Sequence, residues 1–276
     1  MCVRVGAVMQ RPSVFDASGR GCWVNGDQVC YVLQDVGAFL VSNGKDILVE
    51  PCPEAVGEGL QLSLLGPAMA LLLLQRGKFV LHAGSIAING AAVAFLGGHG
   101  WGKSTLVAML YARGHRFLCE DVAGLTFLED HIQVIPSFPQ LKLWPDAAQR
   151  LGWSPADFPQ VHPDCEKRLI RFCKNFNNVS IPLRRIYVLR VAPRVSVERL
   201  RPVERQEAIL RHWYGARFGP EFLRSLDRRN HFLRAAELAR AVPVRALHRP
   251  ATLHEDPGLT EAIEGEILRD LACADV

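Results

Sequence analysis

The chain has 276 residues, of which 49% are hydrophobic and 22% charged, and its formal net charge is +4. That composition excludes a disordered or low-complexity protein and suits one large domain, or a main domain with a smaller partner. The positive excess is too small to argue for nucleic acid, which is not expected as a partner.

No signal-peptide core is visible in residues 1–10. The most apolar run, residues 60–74, is interrupted by Gln61, Ser63, Gly66 and Pro67. It is too short for a membrane span and reads as a buried helix, so a cytoplasmic protein without membrane contact is expected. The eight cysteines include no C-x-x-C pair and read as reduced thiols rather than a disulfide framework. His162, Cys165 and Cys173 lack zinc spacing.

Residues 1–58 read as a β-rich subdomain. Strands at 22–24 and 29–33 surround Asn25-Gly26, and strands at 39–41 and 47–49 flank Asn43-Gly44, a hairpin signal. After the apolar helix, 79–82 and 85–88 read as strands, and Asn89-Gly90 turns into the apolar strand 91–96. Residues 97–104 then fit G-x-x-x-x-G-K-[ST], the phosphate-binding loop, and Leu106, Met109 and Leu110 follow at helical spacing up to Gly114. Strand, glycine loop and helix are the context that the motif demands. Its glycines let backbone N–H groups face phosphate oxygens, Lys103 would reach the β- and γ-phosphates, and the Ser104 hydroxyl would hold Mg²⁺. The candidate nucleotide ligands are Gly97, Gly98, His99, Gly100, Trp101, Gly102, Lys103, Ser104 and Thr105. Within them, His99 fills a variable position and Trp101 is assigned to packing.

The next apolar strand ends in Glu120-Asp121. It should run parallel to the strand that feeds the loop, which brings both carboxylates to the loop's edge of the sheet. There they can hold Mg²⁺ or accept a proton from an attacking hydroxyl. Strand pairs are expected at 122–127 with 132–135 and at 185–191 with 196–200, and short helices and loops over 146–180. Helices follow at about 204–214, 220–228, 231–241 and 259–272, with a strand at 244–247. Lys167 and Arg168 could reach a phosphate and Arg184 and Arg185 could flank the phosphoryl group, but surface placement is the default for all four. The helical arginines, Arg217 among them, read as solvated faces or as a docking surface for an acidic peptide.

Leu81-His82-Ala83, the Asn89-Gly90 hairpin, the glycine loop, and the run Arg113-Gly114-His115-Arg116 leading to Glu120-Asp121 together resemble the catalytic core of the HPr kinase/phosphorylase family. The match covers residues 79–125 in order and spacing. The segment from Pro136, with Lys142-Leu143-Trp144-Pro145, resembles divergent members, some of which accompany lasso-peptide clusters and phosphorylate a serine of the precursor. The resemblance implies an α/β fold with a phosphoenolpyruvate-carboxykinase-like sheet. On that basis the kinase core is 59–200 and a mainly helical region is 201–276. It further implies ATP and Mg²⁺ as cofactors, a nucleotide and a peptide or small-protein acceptor as partners, and γ-phosphoryl transfer to a serine. It leaves a homo-oligomer open. Glu120, Asp121, His82 and Lys103 become the candidate catalytic residues, with Ser104 and Asp121 at the metal. Which acid is the base stays open, because the family has aspartate where Glu120 stands. The family's later E-x-R-G-[LI]-G stretch is absent, so HPr itself and the reverse phosphorolysis are not implied. A small-metabolite kinase and a nucleotide-binding sensor are the rival readings.

Overall fold

Tight turns come first, because two asparagine–glycine pairs set them. Asn43 and Gly44 have φ of 55° and 61°, and Asn89 and Gly90 have φ of 48° and 78°. Two consecutive positive φ values give the turn whose twist matches paired strands, and asparagine and glycine adopt them at least cost. The computed structural model describes all residues except Glu54, Val56, Pro163, Asp164, Cys173, 252–257 and 273–276. It shows a mixed α/β protein.

The first sheet contains β1 (Cys2–Val5), β2 (Arg20–Asn25), β3 (Gln28–Leu33), β4 (Gly37–Ser42) and β5 (Asp46–Pro51), in the order β1-β5-β4-β3-β2. The apolar run forms α1 (Gly57–Ser63), a π-helical turn at Leu64–Ala68 and α2 (Met69–Gln75). Pro67 lies in the π turn. Proline has no N–H to donate and crowds the preceding turn, and the wider winding absorbs both defects. The continuous helix, Gly57–Gln75, has 19 residues and a mean hydropathy of 1.4, which by length and composition is enough to cross a membrane. This corrects the shorter span read from the sequence. In this fold Ala68, Ala70, Leu71 and Leu72 are buried in the protein core.

The central sheet begins with β6 (Phe79–Leu81), β7 (Gly84–Ile88) and β8 (Ala91–Leu96). Next come α3 (Lys103–Ala112), β9 (Arg116–Cys119), β10 (Ala123–Phe127) and β11 (Ile132–Ile135). Residues 140–171 hold β12 (Gln140–Leu143), α4 (Pro145–Arg150), β13 (Gln160–His162) and β14 (Cys165–Arg171). These three strands make a small sheet, β12-β14-β13. The expectation of only helices and loops over 146–180 is therefore corrected. Cys173, the third residue of the zinc-spacing test, lies outside the described residues.

The chain continues through β15 (Ile181–Val191), β16 (Ser196–Arg199), α5 (Pro202–Arg211), a helical turn at Tyr214–Phe218, α6 (Gly219–Ser225), α7 (Arg228–Ala241), β17 (Val244–Arg249) and α8 (Gly258–Ala272). The central sheet runs β6-β10-β11-β15-β8-β7-β9. β15 is long enough to branch it. Its first residues pair with β11, and from Ile186 onward it pairs with β17, which carries β16.

β8 and β15 are parallel, while β7 runs antiparallel to both β8 and β9. β9 therefore points the same way as β8, with the hairpin strand β7 between them. One face of the sheet, with β8 residues Val93 and Phe95, packs on Leu106, Val107 and Leu110 of α3 and on Leu259 and Ile263 of α8. The other face, with Ala92, Ala94 and Leu96, packs in a core shared by α2, α5 to α7 and the first sheet. Cys22, Cys30 and Cys119 are buried thiols, and burial raises each of them, foremost of all effects.

Candidate functional site

Backbone shape explains why the loop leaves β8 where it does. Gly97 is buried at the end of the strand, and Gly102, with φ of 82°, reverses the chain into α3. A side chain at 102 would be strained in that left-handed conformation. Trp101 folds back over the loop, and a Cβ on Gly98 would lie 2.9 Å from its indole nitrogen. Arg249, buried at the end of β17, donates to the Trp101 carbonyl at 2.5 Å. His99, Gly100 and Trp101 are exposed, Gly98, Gly102, Ser104 and Thr105 are half-buried, and Lys103 is buried.

Lys103 Nζ donates to the carbonyls of Gly97 at 2.8 Å and Gly98 at 3.1 Å. Burial above all, with repulsion from Arg217 and Lys167, brings its ammonium down to about 8, although Asp121 pulls the other way. Ser104 Oγ donates to Glu120 Oε1 at 2.5 Å, and the Lys142 backbone N–H donates to Glu120 Oε2 at 2.9 Å. Burial pushes Glu120 up to about 7, opposed mainly by the Lys142 charge.

The chain turns sharply at the next residue. Asp121 has φ of 61°, and the Val122 N–H donates to the Glu120 carbonyl at 2.7 Å. The Asp121 carboxylate is ion-paired with Lys142 Nζ through Oδ2 and lies 3.4 Å from His82 Nε2 through Oδ1. Burial alone would raise Asp121, but Lys142 and His82 outweigh it and hold the acid well below the carboxylate range. Lys142 itself resists the lowering effect of burial through Asp121 and Glu120, and stays above the usual lysine range.

His82 leaves β6 with its N–H donating to the His212 carbonyl at 2.8 Å. That contact docks the helical turn Tyr214–Phe218 against the site. Arg217 Nη1 then stands 3.4 Å from His82 Nδ1 and over the Tyr214 ring. A guanidinium can only donate, so His82 Nδ1 accepts and Nε2 carries the proton that faces Asp121. Burial keeps the His82 ring below the usual imidazole range, and burial likewise brings His212 down to about 4. The arrangement gives an acid beside the loop hydroxyl and a second acid held ionised between a lysine and a neutral histidine.

The fold thus brings Lys103, Ser104, Glu120, Asp121 and His82 together. The sequence reading paired Ser104 with Asp121 for the metal, whereas the structure puts Glu120 against Ser104. Four further residues escaped it as site members. Lys142, quoted only within the family resemblance, is delivered by β12, and the Gln140-Leu141-Lys142-Leu143 alternation was its one signal. Lys167, on β14, lies 5.4 Å from the Trp144 ring, and its charge is the largest influence lowering His99. Arg217 and His212 come from the helical turn and its approach, where nothing local marks them. Arg185 is also corrected. Far from being surface, it is fully buried, and its Nη1 lies 3.4 Å from Glu266 on α8.

The fold and site define a mixed α/β protein with a glycine loop and two acids at one sheet edge. No protein-family model matches the chain, and no curated protein does. Among solved structures it is similar to the Hpr(Ser) kinase/phosphatase from Coxiella burnetii, at 14% identity over 71% of this chain and 99% of that one, with a TM-score of 0.37. That is a distant relationship at most.

Proposed function

We propose that the chain is an ATP- and Mg²⁺-dependent kinase that transfers the γ-phosphoryl group to a serine hydroxyl of a peptide or small protein. One observation carries this reading: Ser104, Glu120, Lys142, Asp121 and His82 form a single hydrogen-bonded and ion-paired series at the mouth of the glycine loop. A phosphate loop alone implies nucleotide binding. A second, ionised acid next to it supplies what transfer to a hydroxyl requires.

Lys103 is held ready by the loop carbonyls and would exchange them for β- and γ-phosphate oxygens. The donor set fits Mg²⁺, because the Ser104 hydroxyl and the Glu120 carboxylate are hard oxygen ligands already in contact, to be completed by phosphates and water. Bound there, Mg²⁺ would neutralise charge on the phosphate oxygens. Asp121 would accept the hydrogen bond of the acceptor hydroxyl and aim its oxygen at the γ-phosphorus. The new oxygen–phosphorus bond forms as the bond to the β-phosphate oxygen breaks, and the hydroxyl proton passes to Asp121. A loose transition state asks for positioning more than for base strength, so an acid with a low pKa suffices. His82 Nε2–H fixes the Asp121 carboxylate, and Arg217 adds positive charge on the acceptor side. A cavity of about 300 Å³ lined by Phe15, Tyr31, Arg217, Phe218 and Arg224 continues from Arg217. A peptide reaching Asp121 has room to lay neighbouring side chains there, for which a small metabolite has no use.

The test is transfer of radiolabel from γ-labelled ATP to a serine-peptide library and, in parallel, to small hydroxyl compounds. Label should enter peptides, and Lys103→Ala should abolish it. Transfer by Lys103→Ala at near the normal rate, or transfer to small compounds alone, would overturn the reading.

A further inference from the structure

A second concentration of positive charge lies away from the glycine loop. At the start of β17, a cavity of about 300 Å³ is lined by Arg199, Arg205, Arg240 and Arg245 together with Pro243 and Val244. Four elements contribute: β16, α5, α7 and β17. Among the described residues no carboxylate lines it, and none of its lining residues belongs to the loop site.

Two of the guanidinium groups are braced. Arg205 Nε donates to the Leu200 carbonyl at 2.8 Å, and Arg245 Nη1 donates to Glu266 Oε1 at 2.6 Å. The other two, Arg199 and Arg240, are exposed, and no ion pair or side-chain hydrogen bond engages them among the described residues. Glu266 cannot balance the group. It also receives the Tyr187 hydroxyl at 2.7 Å and faces buried Arg185 at 3.4 Å. Arg185 is held low chiefly by burial, with Arg245 and Arg199 adding repulsion. Arg240 stands in the last turn of α7, where it offsets the negative end of the helix.

We propose that this recess is a binding site for a small polyanion carrying at least two phosphate groups. Guanidinium forks match phosphate oxygens two at a time, so arginines arriving from four elements can be shared between two phosphate groups. The cavity is at the small end of ligand pockets, which fits a diphosphate-sized group rather than a folded partner. An anion there would offset the positive charge that guanidinium groups bring together from four elements.

The probe is inorganic pyrophosphate, titrated calorimetrically without divalent cation into the full chain. Three proteins are compared: the unmodified chain, Lys103→Ala, and Arg199→Ala combined with Arg240→Ala. Both arginines are solvent-facing, and circular dichroism checks that the double variant is folded. Binding of one equivalent should persist in Lys103→Ala and weaken at least tenfold in the double variant. Unchanged binding in the folded double variant, or loss of all binding in Lys103→Ala, would overturn the site. So would disappearance of the binding at 150 mM salt, the behaviour of nonspecific charge attraction, or tighter binding of a polyglutamate peptide than of pyrophosphate. If the double variant does not fold, Arg199→Lys and Arg240→Lys, which keep the charge and lose the fork, should each weaken binding severalfold, and equal affinity would overturn the proposal.

Discussion

Glu120→Gln should stabilise the protein at alkaline pH. Glu120 holds its proton to about pH 7 in the fold, against 4.5 for an ordinary glutamate. At 1.36 kcal/mol for each pH unit, ionising it in place costs about 3 kcal/mol of stability. The sign follows from proton uptake. A raised folded pKa means that the native state binds the proton more tightly than the unfolded chain does. The cost is therefore absent below pH 4.5, grows between 4.5 and 7, and is complete above 7. Glutamine removes the charge without leaving a polar group unpaired. Its oxygen can accept from the Lys142 N–H, and its amide can donate to the Ser104 hydroxyl, which is able to accept as well as donate. Thermal unfolding in EDTA between pH 5 and 8.5 is the assay. The variant should match the parent near pH 5 and exceed it by about 5 °C or more at pH 8, on the usual conversion of a few degrees per kcal/mol for a chain of this size. A difference that does not change with pH would refute the reasoning, as would a less stable variant at pH 8.

Lys142→Met removes the cation that both acids share. It should raise both acids and destabilise the fold by about 1–3 kcal/mol near neutral pH, read by urea unfolding. On the proposed reading, Asp121→Asn should keep the left-handed backbone, which asparagine tolerates, and lower kcat by about a hundredfold or more with nucleotide affinity little changed. Arg217→Ala should raise KM for the acceptor while leaving KM for ATP near its original value, and equal effects on both would remove Arg217 from the acceptor side. Gly98→Ala puts a methyl against the Trp101 indole and should displace that ring, seen as a shift in tryptophan fluorescence, and weaken ATP binding severalfold.

Local signals explain what the sequence made legible. The asparagine–glycine turns, the glycine loop and its helix, and the apolar strand closing on two acids all depend on residues adjacent in the chain. Lys142 and Arg217 depend instead on tertiary delivery. Lys142 reaches Asp121 because β12 pairs with β14, and that sheet was unreadable among the prolines of 136–163. Its strands are short, and the charged stretch Glu166-Lys167-Arg168 imitates a solvated segment. Arg217 reaches His82 only because the chain after α5 docks through His212. Arg185 shows the opposite failure. An arginine read at a strand's start is ordinarily exposed, whereas the structure buries it within β15, with Glu266 of α8, 81 residues away, among its partners. The family resemblance singled out the two acids by order and spacing, but it did not say which one meets Ser104.

That last point is settled by one backbone angle. Had Glu120 and Asp121 continued the extended strand, alternate side chains would have faced opposite sides of the sheet, and only one acid could have met the loop. The strand ends at Cys119 instead, and the positive φ at Asp121 turns the chain. Aspartate adopts that region more readily than most residues, and its ion pair with Lys142 and its contact with His82 hold it in place. Glu120 can then lie against Ser104 while Asp121 remains at the same edge, turned towards His82. The extra methylene of glutamate lengthens the reach to the Ser104 hydroxyl. Lys142 bridges the two, with its backbone on Glu120 and its ammonium on Asp121, so each acid has its own environment: one pushed up to about 7 by burial, the other held well below the carboxylate range by Lys142 and His82. Two adjacent carboxylates with separated pKa values can serve separate tasks at neutral pH, and in this chain the separation is produced by a turn and a single lysine.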